Sequence, residues 1–122
     1  MRKIIVAGSR TITDWFEVNR TILFGLTELV DLKDFNDIEI VSGRARGIDI
    51  LGERYAKENN LKLKLFPADW DQYGKRAGYL RNKQMAEYAD ALILIWDGKS
   101  RGSQMMLELA KQYKLKIYEK II

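Results

Sequence analysis

The sequence predicts an α/β fold, a Rossmann-like three-layer α/β/α sandwich around a mainly parallel five-stranded sheet. Short continuous apolar runs alternate with segments in which apolar residues recur every three or four positions. This alternation is typical of βαβ units. Most of the apolar runs are also uninterrupted, which indicates strands that are covered on both faces by helices. Because such crossovers are right-handed, the predicted sheet is doubly wound.

The individual elements follow from these runs. Four apolar runs are predicted as buried strands and a fifth, more polar run as the last strand: Ile4–Ala7, Ile38–Ser42, Leu61–Phe66, Ala91–Trp96 and Leu115–Glu119. Between them, helical spacing predicts four helices, which run from Trp15 to Leu29, from Ile48 to Ala56, from Ala77 to Tyr88 and from Met105 to Tyr113. One helix therefore separates each predicted strand from the next.

Length and composition predict one globular domain over residues 1–122, since 47% of the residues are hydrophobic and 31% are charged. The longest apolar run, Ala91–Trp96, is too short to span a membrane. The first apolar run is interrupted at Gly8, which favours a first strand over a signal peptide. The chain has no cysteine, which suits the cytosol, and we expect a cytoplasmic protein.

The absence of cysteine and histidine also limits the chemistry, because it removes thiolate and imidazole groups as metal ligands and bases. Catalysis would have to use carboxylates, Lys, Arg, Tyr or the ligand itself. The net charge of +4 favours an anionic partner, either a phosphorylated small molecule or nucleic acid. No metal or cofactor is required, although Mg²⁺ accompanying a polyphosphate could be held by Asp97 or Asp49.

The motif Gly98-Lys99-Ser100 resembles the end of a phosphate-binding P-loop. A P-loop also needs a glycine five positions before the second glycine. That position is Ile93, in the middle of an apolar run. The segment is therefore not a P-loop. Gly8 likewise lacks the rest of the G-x-G-x-x-G fingerprint, so a classical NAD site is not expected.

Polar, glycine-bearing loops follow the first four predicted strands. In parallel sheets these loops share one edge, and open α/β sheets bind their ligands at that edge. The predicted ligand-binding residues come from these loops and from the helix after the third: Gly8, Ser9, Arg10, Ser42, Gly43, Arg44, Arg46, Gly47, Asp69, Trp70, Arg81, Asn82, Gly98, Lys99, Ser100, Arg101, Gly102 and Ser103.

The loop after the fourth strand combines glycines, cations and a helix that is expected to begin near Gly102. Glycines let a backbone approach a ligand, and free N–H groups at a helix start attract anions. The alternative is an ordinary turn with Ser103 as the helix N-cap. The loop over residues 42–47 allows the same two interpretations, with its arginines as ligands or as surface charge.

Two larger side chains remain open to interpretation. Trp70 is expected either to stack on a ligand ring or to belong to the core or an interface. Arg81 is expected to point toward the sheet edge, where a partly buried guanidinium needs an anionic partner. The alternative for Arg81 is an internal ion pair with Asp90 or Glu87.

Five segments occur in an order that is typical of one family: "GSR", "SGRARGIDILGERYA", "FPADW", "GKRAGYLRNKQM" and "DGKSRGS". Together they resemble the YspA/YpsA-related (DUF2493-type) branch of the SLOG superfamily. That superfamily also holds the LOG phosphoribohydrolases and the Rossmann domain of the DNA-processing protein DprA. The resemblance implies a Rossmann-like fold, a nucleotide or nucleotide-derived ligand such as ADP-ribose, and a homo-oligomer. Self-association is also suggested by the number of large aromatics, Trp15, Phe16, Tyr79 and Tyr88.

Resemblance to the LOG enzymes implies specific catalytic positions. It places Arg81 on their catalytic arginine and Asn82 on the lysine that follows, while their catalytic glutamate corresponds to Met106. Cleavage of a ribosyl–base bond passes through a cation-like sugar that needs a carboxylate. Asp97 is the candidate substitute, with Asp69 as another. We therefore expect nucleotide binding first, nucleotide hydrolysis with Arg81 and Asp97 second, and single-stranded nucleic-acid binding third.

Overall fold

The computed structural model describes residues 1–122 and contains the predicted order of strands and helices. The strands are β1 (Arg2–Gly8), β2 (Ile38–Ser42), β3 (Lys62–Leu65), β4 (Ala91–Trp96) and β5 (Lys116–Ile121). The helices are α1 (Trp15–Leu29), α2 (Ile48–Glu58), the short α3 (Trp70–Tyr73), α4 (Ala77–Tyr88) and α5 (Arg101–Gln112). Two 3₁₀ segments, Leu32–Asp37 and Gly74–Arg76, and helix α3 were not predicted.

The five strands form one parallel sheet with the order β3-β2-β1-β4-β5, which confirms the predicted doubly wound architecture. The chain moves outward from β1 to β3 and then returns to the other side of β1. The strand order therefore reverses between β1 and β4. Open α/β sheets have their ligand crevice at this reversal, outside the carboxyl ends of the strands.

Helices cover the two faces of the sheet, and alternate residues of β1 show how the core divides. Ile4 and Val6 pack with residues of α1 and α2 on one face. Ile5 and Ala7 pack with residues of α4 and α5 on the other face. All six residues of β4 are buried, as expected for a central strand covered on both sides. The sheet is thus a rigid platform for the loops at its carboxyl edge.

The prediction of a buried third strand was wrong, because β3 lies at the edge of the sheet and pairs only with β2. Lys62, Lys64 and Leu65 are exposed. Alternation of leucine and lysine in this segment fits a half-exposed edge strand, and edge lysines discourage pairing with another chain. None of the helices has both the length and the apolar character needed to cross a bilayer.

Candidate functional site

A cavity of about 290 Å³ lies at the carboxyl ends of β1 and β4, where the strand order reverses. The loops after β1 and β4 meet there with parts of α2, α4 and α5. The cavity is lined by Ala7, Gly8, Ser9, Arg10, Thr11, Ala45, Asp49, Arg81, Asn82, Asp97, Ser100, Gly102, Ser103 and Met106. Eight of the eighteen predicted ligand-binding residues are thus brought together, although their contact with a ligand stays a prediction.

Ser9 ties three of the converging segments together. Its N–H donates to the carbonyl of Ile95 at 3.1 Å, and its hydroxyl accepts from the N–H of Asp97 at 3.1 Å. Its carbonyl accepts from the N–H of Ile48, at the start of α2, at 3.4 Å. Because Ser9 is almost fully buried, its polar groups hold the cavity wall together rather than remaining free for a ligand.

Two glycines allow this close convergence. A Cβ on Gly8 would lie 1.7 Å from the carbonyl oxygen of Ile95 in the neighbouring strand. Gly47 has a φ of 75° and precedes α2, and a Cβ there would lie 2.4 Å from the carbonyl oxygen of Ser9. Any other residue at either position would push two segments apart. Both glycines therefore have an architectural role in the site.

The start of α5 forms one wall of the cavity. The helix begins at Arg101, and its N-cap is Ser100, whose hydroxyl oxygen accepts from the N–H of Ser103 at 3.4 Å. The alternative prediction of Ser103 as the N-cap was therefore wrong, because Ser103 already lies within the first turn and is buried. The N–H groups of Arg101 and Gly102 have no intrahelical acceptor, so this end of the helix attracts an anion.

Asp97 shapes the loop that leads into α5. One carboxylate oxygen accepts from the N–H of Lys99 at 2.8 Å and from the N–H of Ser100 at 2.9 Å. These two bonds hold the pKa of Asp97 below its usual range. The side chain lines the cavity but is occupied as a turn-forming acceptor and stays ionised. The predicted catalytic role of Asp97 is therefore open only to a carboxylate that also keeps its two hydrogen bonds to the loop.

Arg81 crosses from α4 toward the loop after β2. Its Nε donates to the side-chain oxygen of Asn82 at 2.8 Å, and its Nη1 donates to the carbonyl of Gly43. The alternative of an ion pair with Asp90 or Glu87 was wrong, because Arg81 points toward the sheet edge. Burial lowers the pKa of Arg81, the nearby charge of Asp49 opposes this, and Arg10 reinforces it.

Asp49 is the main feature of the cavity that the sequence did not predict as ligand-binding. It lies in the first turn of α2, is buried, and accepts from the N–H of Ala45 at 3.3 Å. Burial raises the pKa of Asp49 to about 6, with the charge of Arg81 opposing the shift. The sequence suggested it only as a possible magnesium ligand, and its position one residue after an apolar helix start gave no sign that it would be buried. Only the packing of α4 over the loop encloses this carboxyl group.

The remaining predicted residues of the loop after β2 mostly lie behind or outside the cavity. The hydroxyl of Ser42 donates to the carboxylate of Glu53 at 2.7 Å, and the guanidinium of Arg44 lies 3.4 Å from the same carboxylate. Gly43 contributes its carbonyl to Arg81. Arg46 is exposed and does not line the cavity.

Three predicted residues of the loop after β4, Gly98, Lys99 and Arg101, also do not line the cavity and are exposed at its rim. None of the five ion pairs of the chain involves Lys99, Arg101 or the other rim cations, Arg10 and Arg46. Arg10 lines the cavity, and each of the other three cations is the neighbour in the chain of a lining residue, so positive charge lies close to the cavity and attracts anions.

The third loop contributes to a second, smaller cavity of about 200 Å³. Asp69 lines this cavity and caps α3 by accepting from the N–H of Gln72 at 3.1 Å. Trp70 is 52% exposed and lines neither cavity. The chain contains no group of three acidic side chains close enough to hold a metal ion. Magnesium carried by a polyphosphate ligand stays a proposal.

The fold and this cavity define a Rossmann-like α/β protein with a polar, cation-rimmed site at the switch point of the sheet. Residues 2–73 match the family described as the YspA, cpYpsA-related SLOG family. Over 118 residues the chain is 30% identical to the Gene 61 protein of Mycobacterium phage D29, which covers 92% of this chain and 90% of that protein. The chain belongs to the YspA, cpYpsA-related SLOG family.

A solved structure extends the comparison of the fold. The chain is similar to the X-ray structure of DNA processing protein A (DprA) from Streptococcus pneumoniae, with a TM-score of 0.72 and 20% sequence identity. The similarity covers 97% of this chain but only 49% of the DprA chain, so this chain spans about half of its length. Family membership supports a nucleotide-related or nucleic-acid-interacting role without naming a ligand or an activity.

Proposed function

We propose that this protein binds a nucleotide or nucleotide-derived ligand, such as one of the ADP-ribose type, with a phosphate at the start of α5. The observation that carries the proposal is the cavity at the switch point, into which Gly102 of α5 and the guanidinium-bearing residues Arg10 and Arg81 all open. Backbone N–H groups at a helix start and guanidinium groups are the donors that phosphate oxygens prefer.

The size of the cavity also supports a small ligand. Its volume of about 290 Å³ is close to the lower end of the roughly 300–1,000 Å³ that small-molecule sites occupy. The side chains of Asp49 and Asp97 line the same cavity as Arg10 and Arg81. Carboxylates accept hydrogen bonds from sugar hydroxyls and guanidinium groups donate to phosphate, so a ligand that carries both a sugar and a phosphate suits this lining.

Calorimetric titration of the whole chain tests the proposal. AMP, GMP, ADP-ribose and inorganic phosphate are compared with adenosine, which has the base and sugar but no phosphate. We expect saturable binding of the phosphorylated compounds, weaker binding of free phosphate and no binding of adenosine. Chromatography of the same mixtures should recover the ligands unchanged. A panel in which no phosphorylated compound binds would remove the proposal.

A second candidate function, hydrolysis of the bound nucleotide, is favoured by one observation, the buried Asp49 beside Arg81. A carboxyl group with a pKa of about 6 exchanges protons near neutral pH and so suits a general acid. Asp97, with a lowered pKa, would stay ionised and stabilise a cation-like sugar. In this reaction the N-glycosidic bond breaks, the base leaves with a proton from Asp49, and water adds to the anomeric carbon of the ribose. The proton that this water loses restores Asp49 to its protonated form.

Release of free base from AMP measures this second function. Asp49→Asn, which keeps the size of the side chain, should abolish the release. Asp71→Asn removes an exposed carboxylate that lines neither cavity and serves as the control. Equal rates in wild type and Asp49→Asn would rule out Asp49 as the proton donor. No release from AMP or GMP by the wild type would leave binding as the function.

Single-stranded nucleic-acid binding is the third hypothesis. The name of DprA refers to DNA processing, and the four rim cations would attract a phosphate backbone. These cations surround one compact cavity rather than a track, so we rank this function last. It predicts an oligonucleotide affinity that falls steeply with salt. Weak binding that does not depend on salt would argue against it.

A further inference from the structure

We infer that the smaller cavity is a nucleobase subsite, so that the ligand is a mononucleotide whose phosphate lies in the main cavity and whose base lies in the smaller one. The inference rests on the proposed function and names the ligand class for the same site. It is carried by Tyr73, the one aromatic side chain that lines either cavity, and by Arg81, which lines both of them.

The main cavity offers no aromatic ring on which a base could stack. Of its 14 lining residues only three are hydrophobic, Ala7, Ala45 and Met106, and none is aromatic. The base of a nucleotide has two apolar faces, which proteins usually cover with aromatic or aliphatic side chains. A nucleotide with its phosphate in the main cavity would therefore find an aromatic ring for its base only outside this cavity.

The smaller cavity, of about 200 Å³, is polar over most of its lining but contains an aromatic ring, which the main cavity lacks. Tyr73, Pro67 and Leu80 supply an aromatic ring and aliphatic surface. Tyr73 is 46% exposed, so its ring is accessible to a ligand. The exposed side-chain amides of Gln72 and Gln84 offer both donors and acceptors for the polar edge of a base.

Arg81 lies between the two cavities. Its Nε and Nη1 are engaged within the protein, by Asn82 and Gly43. Its Nη2 makes no hydrogen bond within the protein. Every fully buried side-chain nitrogen of the chain has a hydrogen-bond partner, so Nη2 is not fully buried and is accessible to solvent. This free donor points toward the side of Gly78, on the α4 turn that also carries Ala77 and Leu80 of the smaller cavity. It is suited to a ribose or phosphate oxygen between the subsites.

Two tyrosines of similar exposure provide the experiment. Tyr73 lines the smaller cavity, whereas Tyr79, which is 42% exposed, lines neither cavity. Calorimetry on wild type, Tyr73→Ala and Tyr79→Ala compares AMP and GMP with ribose 5-phosphate. We expect the wild type to bind the tighter of the two nucleotides about tenfold more tightly than ribose 5-phosphate. This tenfold difference in affinity should disappear in Tyr73→Ala and remain in Tyr79→Ala. The affinity for ribose 5-phosphate should be the same in all three proteins.

The possible outcomes separate this inference from the proposed function. If ribose 5-phosphate binds as tightly as the nucleotides, or if Tyr73→Ala weakens both equally, the base subsite is wrong and phosphate binding stands. If neither ligand binds, both are wrong. The last outcome concerns nucleic acid. If a 5′-phosphorylated oligothymidylate displaces labelled AMP at a lower concentration than unlabelled AMP does, the subsite binds a nucleic-acid chain, and the assignment of a mononucleotide ligand is wrong.

Discussion

Arg81 of α4 donates a hydrogen bond to the backbone carbonyl of Gly43, 38 positions earlier in the chain, just after β2. A Cβ on Gly43 would lie 2.8 Å from the Cδ of Arg81 and 2.9 Å from a carboxylate oxygen of Asp49, so only glycine leaves room for this arrangement. The arginine thereby closes the cavity on the side of α4 and brings a positive charge next to a buried carboxyl group.

Loss of this arginine should destabilise the fold. In Arg81→Met, the carbonyl of Gly43 loses its donor and Asp49 loses the nearby cation, which together should lower the free energy of unfolding by about 2–4 kcal/mol. Arg76→Met, at an exposed arginine just before α4, is the control and should change it by less than about 0.5 kcal/mol. Urea unfolding monitored by circular dichroism measures both, and equal midpoints would contradict the role of Arg81.

Gly47 should be much less tolerant of alanine than Gly74. Both glycines have nearly the same backbone conformation, with φ and ψ of 75° and −124° for Gly47 and of 55° and −131° for Gly74. Alanine in this region costs roughly 1–3 kcal/mol. A Cβ on Gly47 also meets the backbone of Ser9 and Arg10, whereas a Cβ on Gly74 meets nothing within 4 Å.

The difference between the two variants therefore measures the close contact alone. We expect Gly47→Ala to lower the free energy of unfolding by at least about 1 kcal/mol more than Gly74→Ala. Equal losses in the two variants, measured by the same urea titration, would mean that the loops after β1 and β2 do not depend on this contact.

Gly102 provides a way to block the main cavity without disturbing the fold. It lies in the first turn of α5 and lines the cavity, and a Cβ there meets nothing within 4 Å. Gly102→Leu should fill the space and reduce the affinity for AMP at least about tenfold, while Gly102→Ala should reduce it little. Both residues favour a helix over glycine, so neither should lower the melting temperature. Unchanged binding in Gly102→Leu would place the ligand elsewhere.

Asp49 should make the stability of the protein depend on pH. Its pKa is raised from 3.8 in the unfolded chain to about 6 in the folded protein, so between these pH values the folded state binds more protons than the unfolded state. The contribution of this carboxyl group is fully present below about pH 4 and is lost as the pH rises through 6. The shift of about two units corresponds to roughly 3 kcal/mol.

Asp49→Asn removes this dependence, since the amide does not ionise and can still accept from the N–H of Ala45. Its stability relative to wild type should therefore rise by roughly 2–3 kcal/mol between pH 4 and pH 7. Chemical unfolding of both proteins across this range is the measurement, and the comparison near pH 4 is its internal control. A difference that stays constant with pH would show that Asp49 titrates normally.

Self-association should involve the outer face of α1. Phe16 is 84% exposed, Phe24 is 54% exposed and Leu23 is 44% exposed, and exposed apolar side chains that cluster on one helix are typical of interaction sites. We expect the wild type to elute as a dimer or larger and the double variant Phe16→Ser, Phe24→Ser to elute as a monomer, as measured by light scattering. Tyr79→Ser changes another of the aromatics that suggested self-association, but on the opposite face of the sheet, and it should leave the oligomer intact. A wild-type monomer at all concentrations would exclude self-association.

The predicted fold depended on local signals and was largely confirmed. β2 and β4 have the bounds that their apolar runs predicted, because a strand covered on both faces needs an unbroken run. α1 likewise begins and ends where its helical period does. The prediction failed at β3. Alternation of leucine with lysine is typical of an edge strand, but the segment was predicted to be a buried strand.

The sequence by itself determined the order of the elements and the edge of the sheet at which the polar loops gather, because periodicity and the handedness of crossovers are local properties of the chain. Only the tertiary structure decided which of those loop residues open onto the cavity. Arg44 and Ser42 turn toward Glu53, while Asp49 and Arg81, from different helices, face one another across Gly43. The direction in which each of these side chains points depends on packing between segments that are far apart in the chain, so no pattern within a single segment predicts it.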